Sequence, residues 1–506
     1  MISERLSDVV RQHRDQLALV DGDQRITYGE LSARVQVARE WLRCTLDPKP
    51  GDVIAVSLDN SWQFVACFFA VSGLGCALVP CNPQWRAAEL RALAGRLKFR
   101  GAVIESRFAA EWDQIPGLIP KDSLLTADRM PAEGGLAVAS NPLPFESLSE
   151  NAPVLYLSTS GSTGTPRLAP RSHRNLIANA ENVGATLGLG PGRIFLSVVP
   201  FHYASGFNNN MLVPLLNGAM VVTIRQFNPT ACAELVQFQQ INTLIGSPFI
   251  YGSLLDNTRD PSQLSSLQWC FSGGGRIPSS VVERWRARFG VTIRQWYGTT
   301  EAGVIAIERR VQEPESSGTR VGEPIRGVEV IVSGPDGQTL GPGERGELAV
   351  RSEAVMSVYF GEPQLSRSRF HNGFFRTGDF GYVDSAGALH LTGRMSRVMN
   401  IAGVKVDPVE VERAVEILPN VASCHVDAVP NGRGGEVIRA RVSARQGLPV
   451  TRREVIEQCR RQLAEYKLPR VIEFLETSPD SIAGKIPRHR APDAAPQAKP
   501  AGPRPQ

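Results

Sequence analysis

Short apolar runs alternate with longer amphipathic stretches through the first two thirds of the chain. The runs Val53-Ile-Ala-Val-Ser57, Cys76-Ala-Leu-Val79, Val154-Leu-Tyr-Leu157, Phe195-Leu-Ser-Val-Val199, Met220-Val-Val-Thr-Ile224 and Thr243-Leu-Ile245 have the length and uniform apolarity of strands buried on both faces. Between them the periodicity is helical. Residues 26–46 predict a short strand leading into an amphipathic helix, with Thr27 as its N-cap and Glu30 three positions on to complete a capping box. This alternation is that of an α/β domain. From about residue 320 the texture changes to Gly- and Pro-punctuated strands, Val328-Glu-Val-Ile-Val332 and Gly346-Glu-Leu-Ala-Val350 among them, which predict a small β subdomain. Beyond Arg394 a compact α+β unit is expected: a helix near Pro408 to Leu418, strands over Val421–Val429 and Glu436–Ser443, and a helix from Thr451 to Glu465. The chain thus divides into a large α/β domain of several subdomains (1–393), a small α+β domain (394–490) and a Pro- and Ala-rich tail expected to be disordered (491–506).

Composition narrows the class without naming a chemistry. The 506 residues are 42% apolar and 21% charged, too many for a single core and ordinary for a large enzyme. A net charge of +5 is small for this length, so no nucleic-acid partner is expected. The eight cysteines lack C-x-x-C or zinc-type spacing and mostly sit in apolar runs, as buried thiols of a reducing compartment do. The N-terminus lacks a basic start followed by an apolar core, and no stretch approaches eighteen uninterrupted apolar residues; a cytoplasmic protein with no membrane partner is the expectation.

The densest chemical signal is Ser158-Thr-Ser-Gly-Ser-Thr-Gly-Thr-Pro-Arg167, after an apolar strand and ahead of a helix expected to start near Arg174. A run of small hydroxyl and glycine residues leaves backbone N–H groups exposed, a concavity suited to phosphate oxygens, and Arg167 adds a permanent positive charge. The Walker pattern is absent there. Taken alone, the run also reads as a flexible Ser/Gly linker.

The loop resembles the ATP-binding signature of the adenylate-forming superfamily, which comprises acyl- and aryl-CoA ligases, nonribosomal adenylation domains and luciferases. Further motifs similar to that family follow in order: Ile26-Thr-Tyr-Gly-Glu-Leu, Leu78-Val-Pro-Cys-Asn-Pro, Gln295-Trp-Tyr-Gly-Thr-Thr-Glu301, Arg376-Thr-Gly-Asp379, Gly393-Arg394, Asn400-Ile-Ala-Gly-Val-Lys-Val-Asp-Pro408 and Ala483-Gly-Lys485. The resemblance spans roughly residues 20 to 490. It implies a large N-terminal adenylation domain and a small mobile α+β C-terminal domain, with ATP, Mg²⁺ and coenzyme A, or the phosphopantetheine of a carrier protein, as cofactors.

Site residues follow from the same resemblance. Thr159, Ser160, Gly161, Ser162, Thr163, Gly164 and Arg167 would cradle the phosphates of ATP, and Gly273, Gly274 and Gly275 would border the adenine and the acyl pocket. The ring of Tyr297 can lie against a purine, Gly298, Thr299 and Thr300 can approach the α-phosphate, and Glu301 can hold magnesium as a hard oxygen ligand. Asp379, expected in a tight Thr-Gly-Asp turn, offers two acceptors to the ribose hydroxyls, with Arg394 beside it. Lys485 would neutralise the substrate carboxylate as it attacks the α-phosphorus. A turn of the small domain would then replace Lys485 by the face carrying Gly403 and Lys405, where a thiol attacks the acyl-adenylate.

Departures from the family pattern bear on specificity. The loop commonly ends Pro-Lys-Gly, whereas here it ends Pro166-Arg167-Leu168, replacing a compact ammonium by a planar fork. The hinge position, usually Asp or Lys, falls on Ser396. In Pro200-Phe-His-Tyr-Ala-Ser-Gly206 either His202 or Tyr203 stands at the acyl-pocket gate by resemblance, and core packing is the alternative for both. Amino-acid-activating members of the superfamily carry an aspartate in this motif for the substrate ammonium; the segment here has no acid, so the resemblance disfavours an α-amino acid substrate. The asparagines of Phe207-Asn-Asn-Asn-Met211 fit either polar specificity contacts or solvent-facing caps, leaving an aryl or short to medium acyl acid as the expected substrate. CoA is the expected acceptor, with a separate carrier protein or an amine as alternatives; an inactive nucleotide-binding scaffold is the non-enzymatic alternative.

Overall fold

The computed structural model describes residues 1–475 apart from 116, 121, 132–148, 160–166, 276, 310–318, 335–336, 395–398, 432–434 and 446–447, and the side chains of Arg394, Lys405 and Ala422 also fall outside what is described. Two large sheets dominate. In the longer one the strands Ile293–Thr299, Trp269–Gly273, Thr243–Gly246, Ile194–Ser197, Met220–Thr223 and Leu17–Asp21 are neighbours in that order, all parallel. Beyond Ile293–Thr299 the sheet turns antiparallel through Gly303–Ile307 and Arg320–Pro324 and continues into the strands from 329 to 394. The second sheet holds Leu124–Thr126, Gly101–Ile104, Val53–Ser57, Ala77–Pro80 and Pro153–Thr159 in parallel, and ends on an antiparallel edge strand, Arg167–Ser172.

Each apolar run singled out in the sequence overlaps a strand, with Cys76, Val198, Val199, Ile224 and Val328 falling just outside, and the helix Tyr28–Leu46 starts at the predicted cap. Thr27 Oγ1 accepts from the Glu30 N–H at 3.2 Å, and Glu30 Oε2 accepts from the Thr27 N–H at 2.7 Å. The helix Trp62–Gly73 is apolar nearly all round, so it has no solvent face, and every residue but the half-buried Gln63 is buried. Its rings anchor the segment expected to gate the acyl pocket: Phe64 lies 5.4 Å from Phe201 and Phe68 lies 4.7 Å from Phe207, centroid to centroid, the second pair edge to face.

Two expectations are corrected. The phosphate loop does not run from a strand directly into a helix: it joins Pro153–Thr159 to Arg167–Ser172 as a hairpin, with Thr159 opposite Arg167, and the helix His173–Leu187 follows that second strand. Asp379 is not in a tight turn but within the ten-residue strand Phe374–Val383, where the pairing register slips between Glu347 and Ala349 and Gly378 takes φ +79°. That bulge aims the Asp379 carboxylate.

The small α+β unit packs the helices Pro408–Glu416 and Arg452–Gln462 with a sheet of Val421–Pro430, Glu436–Ala444 and Val471–Leu475, around Val411, Val415, Val426, Ala440, Val442 and Val455. Thr451 and Glu454 form a reciprocal capping box at the second helix. Lys485 and the tail 491–506 lie outside the described residues.

Candidate active site

A cavity of about 370 Å³ opens where the two large sheets meet the small α+β unit. One side is built by the turn from Pro200 to Gly206, where the acyl-pocket gate is expected. Asn60, itself buried, fixes that turn: its amide donates to the Val199 carbonyl at 3.1 Å, and its Oδ1 accepts from the Phe201 N–H at 2.7 Å. A Cβ at Gly206 would collide with the Pro200 carbonyl, so the motif's closing residue has to be glycine. Tyr203 lines the cavity, and its hydroxyl accepts from Asn82 Nδ2 at 3.2 Å; burial, then the adjacent Tyr466, holds that phenol well above its ordinary pKa and keeps it neutral. His202 is not among the lining residues. It packs 4.3 Å from the Tyr203 ring, and burial pushes its imidazole down to about 3, so it is a neutral packing group.

On the side expected to hold the nucleotide, Thr159, Gly273, Gly274, Gly298, Thr299 and Thr300 line the cavity. A buried arginine to which the sequence assigns no role holds this wall in place. Arg171 donates to the carbonyls of Thr300 and Ala354, both at 2.6 Å, and burial lowers its guanidinium to about 10 while Glu301 opposes the shift. Its only sequence signal is its place four residues beyond Arg167 in the hairpin strand. Glu301 follows Thr300 and accepts from the Tyr359 hydroxyl at 2.9 Å, which orients the carboxylate. Tyr297 donates through its hydroxyl to Asp379 Oδ2 at 2.8 Å, both residues being largely buried. This pairing joins the two predicted nucleotide residues, although neither lines the cavity. Arg167 lies 3.6 Å from Glu362, which also binds Arg96 at 2.7 Å.

The small unit closes the third side. Asn400 donates to the Gly274 carbonyl, and Ser247 Oγ donates to the Ala402 carbonyl at 3.4 Å. Gly403, at φ +91°, sits where an added Cβ would come within 2.5 Å of Ser247 Cβ, so this contact requires glycine on both backbone and packing grounds. Ser247 and Asn400 had no predicted role, although Asn400 opens one of the sequence motifs. Lys467 of the small unit also lines the cavity and makes ion pairs with two further lining residues, Glu89 at 2.6 Å and Glu410 at 2.8 Å, all three mostly buried. Burial works against this ammonium, yet the acidic groups Tyr466, Glu410 and Glu89 outweigh it and hold its pKa well above the usual lysine value.

The structure therefore brings Thr159, Tyr203, Gly273, Gly274, Gly298, Thr299, Thr300 and Gly403 to one cavity, with Gly275, Glu301, Tyr297 and Asp379 behind or beside its wall. Gly275 lies against Asn400. Ser160, Gly161, Ser162, Thr163, Gly164 and Lys485 are outside the described residues, as are the side chains of Arg394 and Lys405. For magnesium, Glu301 is the fitting donor, a single oriented carboxylate; no group of three or more His, Cys, Asp or Glu stands together among the described residues. One carboxylate plus substrate phosphates is a usual ligand set for that ion. No helix among the described residues is long and apolar enough to cross a membrane.

Comparison with known proteins fits this geometry. Residues 6–360 match the model of the AMP-binding enzyme family, and residues 410–485 match that of the AMP-binding enzyme C-terminal domain. The chain is 31% identical over 506 residues to the 3-[(3aS,4S,7aS)-7a-methyl-1,5-dioxo-octahydro-1H-inden-4-yl]propanoyl:CoA ligase of Rhodococcus jostii, covering 95% of this chain and 96% of that one. It is 32% identical over 473 residues to the feruloyl-CoA synthase of an Amycolatopsis species, covering 93% and 94%. Among solved structures, the amide bond synthetase McbA of Marinactinospora thermotolerans superposes with a TM-score of 0.84 at 26% identity, over 95% of this chain and 97% of that one. With its large α/β N-terminal domain and smaller C-terminal domain, the chain belongs to the AMP-binding enzyme family, the adenylate-forming superfamily in its acyl-CoA ligase type.

Proposed function

We propose that the protein activates a carboxylic acid with ATP to an acyl-adenylate, releasing pyrophosphate, and then transfers the acyl group to the thiol of coenzyme A. The observation that carries this reading is the single cavity lined at once by Tyr203, by Thr299 and Thr300, and by Gly403 of the small unit. An acyl pocket, a phosphate wall and a thiol-side face must converge on one carbonyl carbon for both half-reactions. In the first, the substrate carboxylate is the nucleophile. Thr159, Thr299 and Thr300 offer hydroxyls to the α-phosphate, Asp379 held by Tyr297 takes the ribose, and Lys485 and Arg167 offset the charge that develops on the reacting carboxylate and pyrophosphate. Magnesium at Glu301 would neutralise phosphate charge. In the second, the thiol attacks the acyl carbonyl and AMP departs.

The contact of Gly403 with Ser247 and Gly274 is that of the thiol-transfer arrangement in this reading. Residues 1–393 and 394–490 act as separate domains that swing about Ser396 to bring Lys485 in for adenylation. The acid is an aryl or short to medium acyl acid, and the likeness to an amide bond synthetase favours an amine as the second candidate acceptor. The test is acid-dependent exchange of labelled pyrophosphate into ATP over aryl, fatty and amino acids, followed by mass detection of the product made with CoA or with an amine. Acyl-CoA formation is expected. Exchange without any acyl-CoA, together with amide formation, would move the acceptor to an amine, and absence of exchange with every acid would leave an inactive nucleotide-binding scaffold.

A further inference from the structure

The seven residues Gly206–Leu212 form a π-helical turn in which all three asparagines are buried. Asn210 serves the fold. In the amide orientation its surroundings require, its nitrogen donates to the carbonyls of Leu196 and Ile245 at 3.2 Å each. Asn208 and Asn209 are not committed in this way. They are 3% and 7% exposed, both line the cavity, and each leaves its Oδ1 without a hydrogen-bond partner among the described residues. The same cavity is lined by the apolar side chains of Val199, Ile245, Trp296 and Val304. A carboxamide oxygen buried in such surroundings without a partner is destabilising where a leucine of similar volume would not be. The partner that the fold withholds has to come from whatever fills the cavity.

Resting on the acid-adenylating function proposed above, we infer that Asn208 and Asn209 are specificity residues, and that the acid accepted here is hydroxylated or bears an N–H group on an apolar ring frame. A plain alkyl or unsubstituted aryl acid would leave both carboxamide oxygens unpaired. A site built to hydrogen-bond a hydroxyl discriminates strongly against the analogue lacking it, whereas an apolar pocket barely rejects an added hydroxyl. The asymmetry gives the test its direction.

The probes are non-hydrolysable acyl sulfamoyl-adenosines of phenylalkanoic acids, each paired with counterparts hydroxylated at the 3 or 4 position, their Kd measured by calorimetry on the full chain. At least one hydroxylated member should bind about 10-fold or more tighter than its parent. Asn208→Leu or Asn209→Leu should bring that ratio to within about threefold, the residual preference of a pocket without the hydrogen bond. Thermal melts check that the variants fold, and Asn208→Ser and Asn209→Ser serve in place of a leucine variant that does not. Binding of every pair alike, with a water satisfying the amides, would overturn the inference, as would a hydroxyl preference that survives both substitutions. Loss of binding by all probes and by AMP alike would instead strike at the nucleotide site, and with it at the adenylating function itself.

Discussion

Replacing Lys467 by methionine should slow acyl transfer selectively, because the residue ties the small unit to the large one through buried charge. Glu89 and Glu410 stand 2.6 and 2.8 Å from its ammonium, and the three side chains are 11%, 13% and 8% exposed. Removing the cation leaves two carboxylates facing each other out of water. Breaking a buried pair in this way costs about 3–5 kcal/mol. Protonation limits the loss: taking up a proton at pH 7.5 on a glutamate with the ordinary pKa of 4.5 costs about 4 kcal/mol, and burial already pushes the Glu89 carboxyl upward. The penalty applies only to the docked arrangement, since separation of the units rehydrates both acids. Docking should therefore weaken by up to about 10³-fold near pH 7.5. Because docking of the variant then takes up a proton, docking is regained as pH falls, by about tenfold per unit between pH 8 and 6. Rapid-quench measurement of transfer from preformed acyl-AMP to CoA, beside pyrophosphate exchange, reads the two half-reactions separately. Transfer should fall with that pH signature while exchange holds. Equal loss of both steps with a lowered Tm, or a transfer defect flat with pH, would refute the reasoning.

Gly403→Ala should cut transfer by at least about tenfold and spare pyrophosphate exchange, because the new methyl meets Ser247 and the backbone is held at φ +91°; normal transfer in single-turnover assays would contradict the docking geometry. Lys485→Ala should abolish adenylate formation and leave thiolysis of supplied acyl-AMP largely intact, and equal loss of both would remove Lys485 from the first step. Stability should also decline in acid through His173, whose Nδ1 accepts from the Ile2 N–H at 3.3 Å and whose pKa falls from 6.5 to about 4, chiefly by burial and then by the N-terminal ammonium. The unfolded chain binds this proton at higher pH than the folded one, so the contribution is complete above 6.5 and lost as pH falls toward 4, at about 1.4 kcal/mol per unit. Denaturant midpoints measured from pH 7 to 4 should show a shallower slope in His173→Gln, and an unchanged slope would show that the imidazole titrates normally.

How far these features are legible in the sequence depends on the range of the interaction that fixes each. The Thr27 and Glu30 box is written within four residues, and the buried strands announce themselves by unbroken apolarity; both appear where expected. The strand Arg167–Ser172 escapes prediction because Arg-Leu-Ala-Pro-Arg-Ser has neither alternation nor β-branched residues. It can be a strand because it is the edge of its sheet, where Pro170 need not donate, and because Arg171 turns inward to carbonyls 129 and 183 residues away. Nothing local marks such an arginine as a clamp on the wall that carries Thr300. The Lys467 and Glu89 pair spans 378 residues and two domains, so no periodicity could have found it.

The three asparagines show the same limit from the other side. Side chains on a regular helix fan out by about 100° per residue, so three in a row are not expected to share one buried face. The π turn and the Phe201 and Phe207 anchors enclose all three, and only the partners supplied by neighbouring strands separate Asn210 from Asn208 and Asn209. A residue type states what a side chain can bond. Whether that capacity is spent on the fold or kept for a ligand is decided by atoms contributed from elsewhere in the chain. The same logic governs Gly403: its missing side chain has consequence only because Ser247, on a different domain, occupies the space a Cβ would take. Specificity and thiol transfer are thus the properties least visible along the sequence, for both are defined by surfaces that exist only once the large sheets and the small unit have met.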